Sequence, residues 1–321
     1  MTTFTRSLGR SGIQVSTMGM GCWAIGGPFW KNGQPVGWGN VDDDESIRSI
    51  QRALDLGITF FDTAAVYGCG HSERVLGKAI AGRRGQVVLA TKFGQVFDEA
   101  TRQVKGYDTR PERIRQEVED SLRRLNTEVI DLYQLHVKDV APEQALVVRD
   151  TLEELVAAGK IRFYGWSTDA PASARLFAEG PHCTAIQQQL NILEGNAETL
   201  AVCEQFNLAS INRGPLGMGL LTGKFTAETQ IPADDVRSRR PALQEDRANR
   251  LQKLEKIRRL LTQDGRTLAQ GALGWLWARS ENTLPIPGFK TIKQIEENAA
   301  AVSFGPLTQE QMNQIEIALE R

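Results

Sequence analysis

The sequence has few of the features that mark secreted, membrane or disulfide-rich proteins. Among its 321 residues there are only four cysteines, Cys22, Cys69, Cys183 and Cys203, and no two of them form a CxxC pair. Isolated thiols in a chain of this size are typical of a reducing compartment, so we predict a cytoplasmic protein. The N-terminal segment MTTFTRSLGR lacks the apolar core of a signal peptide, and no run is long enough to span a membrane. We therefore expect no membrane partner.

Net charge and metal-ligating residues are also scarce. The formal net charge is −1, and histidine occurs only three times. A balanced charge gives no electrostatic reason to expect nucleic acid or anionic lipid as a partner. Cys69 and His71 lie close in sequence, but two ligands without further partners do not predict a zinc site. We therefore expect no metal, and a small molecule as the ligand.

Apolar, β-branched runs alternate with amphipathic stretches along the whole chain. The runs predict strands at residues 16–21, 58–63, 87–93, 129–136, 161–167, 184–191, 208–214 and 282–288. Strands that alternate with helices are typical of a parallel sheet, and eight repeats favour a (β/α)8 TIM barrel over an open sheet. We predict one such α/β barrel domain over residues 1–321. An N-terminal β-hairpin at residues 4–16 and extra C-terminal helices at residues 291–301 and 307–321 complete the prediction.

A glycine-rich segment suggests an alternative fold. GMGCWA (19–24) matches the GxGxxA fingerprint of Rossmann domains, and acidic residues follow at positions 42–44. The turn of a Rossmann domain must open a helix, whereas Gly26, Gly27 and Pro28 follow here. The match is therefore weak, and the other interpretation is a first strand that enters a flexible loop.

Four polar residues are placed where they can converge. Asp62, Lys92 and His136 each close an apolar strand-like run, and Tyr67 follows the first of these runs by five residues. The carboxyl ends of parallel barrel strands meet at one rim, which is where such barrels carry their chemistry. Taken singly, these residues also fit a structural ion pair, a packed aromatic and a half-buried histidine.

Together the four residues form a set suited to carbonyl reduction. A tyrosine is a weak acid with a pKa near 10, and a nearby lysine ammonium favours the phenolate and lowers that pKa. Asp62 would hold Lys92 charged and aimed, while His136 would hydrogen-bond a carbonyl oxygen. The set predicts Tyr67 as a proton donor beside a carbonyl orienter, with a hydride supplied from elsewhere.

The sequence resembles the aldo-keto reductase family along nearly its whole length. The family's strand-end signature GxxFFDTAxxYG stands here as GITFFDTAAVYG (57–68), and HSERVLGKAI (71–80) is similar to the helix that follows it. Further family motifs occur in order, namely TKFG, DLYQLH, GWST, QQQLN, PLGMGLLTGKF and IPGFKTIKQIEEN. The resemblance implies reversible reduction of aldehydes or ketones with NADPH, in which hydride leaves nicotinamide C4 and Tyr67 acts as the general acid.

The resemblance also implies the positions of the site residues. The four polar residues would be catalytic, Ser167 and Gln187 would hold the nicotinamide carboxamide, and the loop around Gly217 would cross the pyrophosphate. The cofactor-contacting positions implied are Cys22, Trp23, Ser167, Thr168, Gln187, Arg213, Gly214, Pro215, Leu216, Gly217, Leu220, Thr222, Lys224, Gly288, Phe289, Lys290, Thr291, Gln294, Glu297 and Asn298.

Three positions depart from the family pattern. Thr168 replaces an asparagine that often follows the serine of this motif, which puts one amide contact in doubt. Arg213 stands where an aromatic ring commonly stacks on the nicotinamide; a guanidinium can also stack, and we expect it to favour the reduced cofactor or to contact phosphate. Gln294 replaces an arginine often found near the 2′-phosphate. Because Lys290 can still bind that phosphate, we favour NADPH over NADH.

The substrate is less well defined. Trp30 and Trp38 in the loop at residues 28–40, and Phe93 after Lys92, would line the substrate pocket. Aromatic walls suit apolar carbonyls and also stack on sugars. Broad carbonyl reduction is the first expectation, and a sugar or polyol dehydrogenase is the second.

Two further classes stay open. One is a cofactor-binding, redox-sensing regulatory subunit. The other is a Schiff-base aldolase that uses Lys92, which is disfavoured because the nearby aspartate keeps that lysine charged. Family members are commonly monomers, so a monomer is slightly favoured. The arginines at residues 222–250 fit either phosphate contacts or a solvated surface.

Overall fold

Short strands run through the part of the chain that the computed structural model describes, residues 5–244 and 246–321. In chain order they are β1 Thr5–Ser7, β2 Gln14–Ser16, β3 Met20–Gly21, β4 Trp30–Lys31, β5 Gln34–Pro35, β6 Phe60–Asp62, β7 Val88–Phe93, β8 Gln95–Asp98, β9 Gln103–Tyr107, β10 Ile130–Leu135, β11 Ile161–Ser167, β12 Cys183–Asn191, β13 Glu194–Gly195, β14 Ala209–Arg213 and β15 Thr283–Pro285.

Eight of these strands form a closed parallel barrel. Their order around the barrel is β3, β6, β7, β10, β11, β12, β14 and β15, and each pair of neighbours is parallel. The barrel closes where Gly21 pairs with Gly288. A Cβ atom on Gly21 would lie 2.8 Å from the Ile286 carbonyl oxygen, so glycine is needed for the first and last strands to approach. The predicted (β/α)8 barrel is confirmed.

The barrel interior is apolar below and polar at the rim. Phe60, Ala90 and Leu132 belong to a buried cluster contributed by the barrel strands. Side chains alternate along a strand, so residues two positions further point to the same side. Asp62 therefore follows Phe60, and Lys92 follows Ala90, toward the C-terminal rim. A larger apolar cluster packs between the strands and the surrounding helices.

The N-terminal hairpin covers the opposite end of the barrel. Strands β1 and β2 pair antiparallel, and the Leu8 side chain between them is fully buried in the interior cluster. Gly9 has φ +53°, and a Cβ atom there would lie 2.2 Å from the Thr184 carbonyl oxygen. The Arg10 side chain donates to the Cys183 carbonyl oxygen at 2.7 Å. The predicted hairpin is thus present over residues 5–16, while residue 4 lies outside the described residues.

Helices surround the barrel, and several begin at residues that favour a helix start. Pro111, Pro142 and Pro171 each stand in the first turn of a helix, and the Asp42 side chain accepts from the Glu45 backbone N–H. The helices are α1 Asp43–Asp55, α2 His71–Ala79, α3 Pro111–Leu125, α4 Pro142–Ala157, α5 Pro171–Ala178, α6 Ala197–Gln205, α7 Pro241–Gln244, α8 Arg247–Leu261, α9 Leu268–Arg279, α10 Ile292–Ala300 and α11 Gln309–Ala318.

Two features differ from the sequence predictions. The run at residues 16–21 is not one strand, because the Ser16 hydroxyl donates to the Met18 carbonyl oxygen and the chain turns between β2 and β3. A short 3-10 helix, Ala24–Gly26, follows β3 in place of the long helix of a Rossmann turn, so the Rossmann interpretation is wrong. In addition, two rim loops pair into a small sheet in the order β5, β4, β9 and β8, which the sequence did not predict.

Candidate active site

A cavity of about 1070 Å³ opens at the C-terminal ends of the barrel strands. Its wall includes Asp62, Tyr67 and His136 at the strand ends, parts of the loops after β3 and β14, and the start of α10. This rim is where (β/α)8 barrels carry their active sites. The cavity is at the upper end of the range for small-molecule sites, which leaves room for an extended ligand.

A buried lysine joins the aspartate to the tyrosine. Lys92 Nζ donates to Asp62 Oδ1 at 2.5 Å, to the Thr63 carbonyl oxygen at 2.7 Å and to Tyr67 Oη at 3.2 Å. An ammonium group has three N–H donors, so all of them are used. The Lys92 side chain has no exposed surface. The ammonium is therefore held charged behind the tyrosine, which argues against a Schiff-base role for Lys92.

The pKa values of Tyr67 and Lys92 are set by two opposing effects, burial and the charges of their neighbours. Burial raises the pKa of the Tyr67 phenol, and the Lys92 ammonium offsets only part of that rise. Burial also opposes the charge of Lys92, but the attraction of Asp62 and Tyr67 outweighs it and the pKa of Lys92 is raised. The sequence-based expectation of a lowered tyrosine pKa is therefore reversed in direction, because desolvation exceeds the effect of the lysine.

His136 lies beside the tyrosine as a neutral imidazole. Its ring centroid is 5.8 Å from that of Tyr67, with the two rings nearly perpendicular. Burial, followed by the charges of Lys92 and Arg213, lowers the pKa of His136 to about 3. Its Nδ1 atom is buried and has no hydrogen-bond partner among the described residues. A neutral imidazole can donate one N–H to an oxygen in the cavity, but it is a poor proton donor at neutral pH.

Two glutamines hold the second oxygen of the aspartate. Gln134 Nε2 donates to Asp62 Oδ2 at 2.9 Å, and Gln187 Nε2 donates to the same oxygen at 2.8 Å. The sequence analysis placed Gln187 at the site and missed Gln134. Its position could have been found, because Gln134 lies two residues before His136 on the same face of a strand.

Most of the implied cofactor positions lie on the cavity wall. They are Trp23, Ser167, Thr168, Gln187, Arg213, Gly214, Pro215, Leu216, Gly217, Thr222, Lys224, Gly288, Phe289, Lys290, Gln294, Glu297 and Asn298. Cys22 and Leu220 are instead completely buried behind it. Thr291 caps α10, and its hydroxyl accepts from the Gln294 backbone N–H at 3.4 Å.

The charge of the wall fits a phosphorylated ligand. Lys224, Arg240 and Lys290 all line the cavity, at a distance in sequence from Asp62, Tyr67 and His136. Cations and exposed backbone N–H groups are the usual partners of phosphate oxygens. A dinucleotide cofactor with a nicotinamide ring near Tyr67 and phosphates near these cations is therefore chemically compatible with the residues present.

Arg213 is paired with an acid that the sequence analysis did not select. Its guanidinium forms an ion pair with Asp169 and donates to Gln189 Oε1 at 2.9 Å. Asp169 Oδ1 also accepts from the Gln189 backbone N–H at 2.6 Å. The positive charge of Arg213, which would repel an oxidised nicotinamide, is thus compensated within the protein. Asp169 directly follows the GWST motif, but no pattern in the sequence marks it as the partner of residue 213.

A segment that we call the strap, residues 223–240, contributes Lys224, Val236, Arg237 and Arg240 to the cavity wall. The Val236 N–H donates to the Gly37 carbonyl oxygen at 2.8 Å, and Asp235 forms an antiparallel bridge with Trp38. The Arg237 guanidinium lies 4.9 Å from the centre of the Trp38 ring. The strap belongs to the long loop after β14, and these contacts attach it to the loop after β3.

Of the three aromatic residues predicted for the substrate pocket, one lies on the cavity wall and two do not. Trp38 lies on the cavity wall, and its ring meets Trp23 edge-on at 5.5 Å. Trp30 instead pairs with Gln103 in the small rim sheet. Phe93 is buried and stacks on Tyr133 at 4.5 Å. Strand alternation turns Phe93 outward, away from the side of Lys92, which explains why the geometry does not support it as a substrate contact. The wall also includes Phe29, Lys31, Val36, Val66, Gln95, Val104 and Lys138, which the sequence analysis did not select.

Neither a metal-binding cluster nor a membrane-spanning helix occurs in the described part of the chain. Within it, no group of three or more histidine, cysteine or acidic side chains is arranged to hold a metal ion. The His71 ring bonds Asp43 at 2.8 Å. In the same part of the chain, no helix combines the length and the hydrophobicity that a bilayer crossing requires.

Comparison with known proteins gives a consistent result. The model of the aldo/keto reductase family matches residues 17–320. The chain is 36% identical over 304 residues to the aldo-keto reductase YhdN of Bacillus subtilis, covering 90% of this chain and 86% of that protein. It is 30% identical to the aldo-keto reductase yakc [NADP(+)] of Schizosaccharomyces pombe, covering 93% and 86%. The structure of the glycerol dehydrogenase AKR11B4 from Gluconobacter oxydans superposes with a TM-score of 0.85 at 35% identity, covering 100% of this chain and 96% of that one.

The fold and the site together define an oxidoreductase built on a (β/α)8 barrel. The family match spans nearly the whole chain, and relatives above 30% identity cover most of it. The chain belongs to the aldo/keto reductase family. The resemblance inferred from the strand-end motifs is confirmed.

Proposed function

We propose that the protein reversibly reduces aldehydes or ketones to alcohols with NADPH, and that Tyr67 is the general acid. The observation that carries this proposal is the chain of hydrogen bonds from Asp62 through Lys92 to Tyr67, which ends at the cavity. A bound nicotinamide cofactor would supply the hydride. The protein has to supply the proton and to hold the carbonyl oxygen.

Each member of the catalytic set has a separate task. Tyr67 donates its hydroxyl proton to the carbonyl oxygen, and the adjacent Lys92 ammonium stabilises the phenolate that remains. Asp62 keeps the ammonium charged, since the pair is buried and joined at 2.5 Å. His136 is neutral and donates an N–H to the same carbonyl oxygen, which polarises the carbonyl and orients it.

The choice of NADPH rests on the charge of the cavity and on a relative. Lys224 and Lys290 offer two cations for phosphate oxygens. The relative yakc carries NADP(+) in its name. Trp38 and Trp23 lie on the wall, so binding of a nicotinamide cofactor should quench their fluorescence.

The test of the acid assignment is the substitution Tyr67→Phe. We expect the turnover number for carbonyl reduction to fall roughly 10²- to 10⁴-fold, because the proton donor is lost. The dissociation constant for NADPH, measured by tryptophan quenching, should stay within about twofold, since the ring is kept. Tyr107→Phe is the matched control, because Tyr107 is 62% exposed and lies outside the catalytic set. Full turnover in Tyr67→Phe would reject the assignment.

A polyol dehydrogenase is the second candidate. It is favoured by the 35% identity to a protein named as a glycerol dehydrogenase. The two functions share one mechanism run in opposite directions, so the substrate separates them. We would compare kcat/KM for glycerol and larger polyols with NADP+ against that for a panel of aldehydes with NADPH. A polyol value that exceeds every aldehyde value would make alcohol oxidation the function.

A further inference from the structure

The first turn of α10 is the part of the cavity where the adenosine half of the cofactor is expected. Lys290, Gln294 and Glu297 lie on the cavity wall there. NADPH and NADH differ in this half alone, because NADPH carries a phosphate on the 2′-oxygen of its adenosine ribose. The positive end of a helix favours such a dianion. Any group that already uses this helix end should therefore affect the choice between the two cofactors.

An acidic side chain from a distant helix accepts a backbone N–H of this turn. Glu45, in the first turn of α1, accepts the Ile292 backbone N–H on its Oε1 atom at 3.0 Å. Its second oxygen pairs with Arg48 at 3.1 Å. The hydrogen bond from Ile292, followed by that from Arg48, lowers the pKa of Glu45, so the carboxylate is ionised at neutral pH.

The neighbouring N–H groups of the turn are also satisfied internally. The Lys290 backbone N–H donates to Gln294 Oε1 at 2.7 Å, and the Gln294 backbone N–H donates to the Thr291 hydroxyl at 3.4 Å. Together with the bond to Glu45, these bonds occupy the N–H groups of Lys290, Ile292 and Gln294, so a phosphate that approaches these three groups must compete with acceptors already in place. A carboxylate is the strongest of these competitors, because it is charged.

The cation of this corner is engaged as well. Lys290 Nζ donates to the Trp38 carbonyl oxygen at 2.5 Å. Asp235 and Asp234 are close enough to act on its charge, and Arg237 opposes them. Residue 294 is a neutral glutamine, so it adds no positive charge. The charges around Lys290 are therefore less favourable to a 2′-phosphate than those around an unpaired lysine at a helix terminus would be.

We propose that Glu45 is a cofactor-specificity residue. Its carboxylate acts as an internal anion at the positive end of α10, and it thereby lowers the ratio of NADPH affinity to NADH affinity. The proposal rests on the proposed nicotinamide-dependent function. NADH has no 2′-phosphate and leaves the bond between Glu45 and Ile292 undisturbed. When NADPH binds, the Glu45 carboxylate either repels the 2′-phosphate or must move away from it, and both lower the affinity for NADPH.

The test is cofactor binding by wild type and by Glu45→Gln. Glutamine can still accept the Ile292 N–H, so the substitution removes the charge and keeps the cap. We expect the dissociation constant for NADPH, from tryptophan quenching, to fall roughly two- to fivefold, as for an anion removed from a helix terminus, while that for NADH changes by less than about 1.5-fold. Adenosine 2′,5′-bisphosphate should gain affinity over 5′-AMP in the same way.

The matched control is Asp44→Asn. Asp44 is an exposed neighbour in the same turn of α1, and its carboxylate has no hydrogen-bond or ion-pair partner among the described residues. It changes the net charge equally and should leave the ratio of the two cofactors unchanged. A ratio that does not move in Glu45→Gln, or moves equally in Asp44→Asn, would overturn the role of Glu45. If wild type bound neither cofactor, the proposed function itself would fail, which is a distinct result.

Discussion

Arg213 is the residue whose role changed most between sequence and structure. By resemblance it stands where an aromatic ring would stack on the nicotinamide, and a bare cation there should repel an oxidised ring. The ion pair with Asp169 compensates that charge. Because Arg213 is 39% exposed, water screens part of the interaction, and we expect a modest effect when it is changed.

The prediction at the residue scale is that Asp169→Asn discriminates against the oxidised cofactor. Asparagine keeps an oxygen for the Gln189 N–H and loses the charge that balances Arg213. The dissociation constant for NADP+ should rise roughly two- to fivefold, and that for NADPH should change less, since reduced nicotinamide is neutral. Both constants are measured by tryptophan quenching.

The same measurement in an Arg213→Gln background supplies the control. Without the arginine there is no unpaired cation, so adding Asp169→Asn should have no further effect on the ratio of the two constants. An effect of equal size in both backgrounds would show that Asp169 acts by another route.

At the scale of elements, the strap connects two parts of the rim that are far apart in sequence. It is held to the loop after β3 by the bond from Val236 to Gly37 and by the contact of Arg237 with Trp38. Trp38 in turn packs against Trp23, whose ring stacks on Tyr67 at 5.9 Å. The strap is therefore in contact, through Arg237, Trp38 and Trp23, with the proposed acid.

We predict that Arg237→Ala speeds release of NADPH. The substitution removes the contact with the Trp38 ring and the ion pair with Asp235 at 2.7 Å. A contact of this kind is worth roughly 1 kcal/mol, so the dissociation rate in stopped-flow quenching should rise about fivefold.

Arg239→Ala is the comparison, because Arg239 is an exposed arginine of the same strap with a longer contact, 3.5 Å, to the Pro35 carbonyl oxygen. Equal acceleration in both variants would mean that loss of positive charge, and not loss of the anchor, controls release.

At the scale of the whole molecule, folding places a histidine where its charged form is not tolerated. Burial, with Lys92 and Arg213, lowers the pKa of His136 from the ordinary 6.5 to about 3. Between these values the unfolded chain binds a proton that the folded chain does not. Stability therefore rises with pH through this window, and it falls when the solution is acidified.

The prediction is that His136→Gln loses less stability than wild type between about pH 7 and pH 5. Linkage gives a difference of about 2 kcal/mol over this interval, measured as the free energy of unfolding in urea. Tyr107→Phe changes an exposed side chain and leaves His136 in place, so it should keep the wild-type dependence. The same dependence in His136→Gln would show that other groups cause the loss in acid.

The sequence by itself determined the barrel and the polar residues that meet at its rim. Apolar strands that alternate with amphipathic helices admit few other arrangements, and charges at strand ends must then meet at one rim. Asp62, Lys92 and His136 were found in this way, and Tyr67 was found by its place five residues after the first run, because strand period and chain order are local properties.

The tertiary structure alone decided the contacts between distant segments. Glu45 meets Ile292 across 247 residues, Arg213 meets Asp169, and the strap meets Trp38. Trp30 and Phe93 do not lie in the expected pocket. Trp30 belongs to the rim sheet, and Phe93 stacks on Tyr133 on the outer side of the barrel. No local pattern encodes such pairings, because they exist only after the barrel closes and brings its loops together. Which charges are compensated at the site, and hence which cofactor it prefers, is therefore a property of the closed barrel.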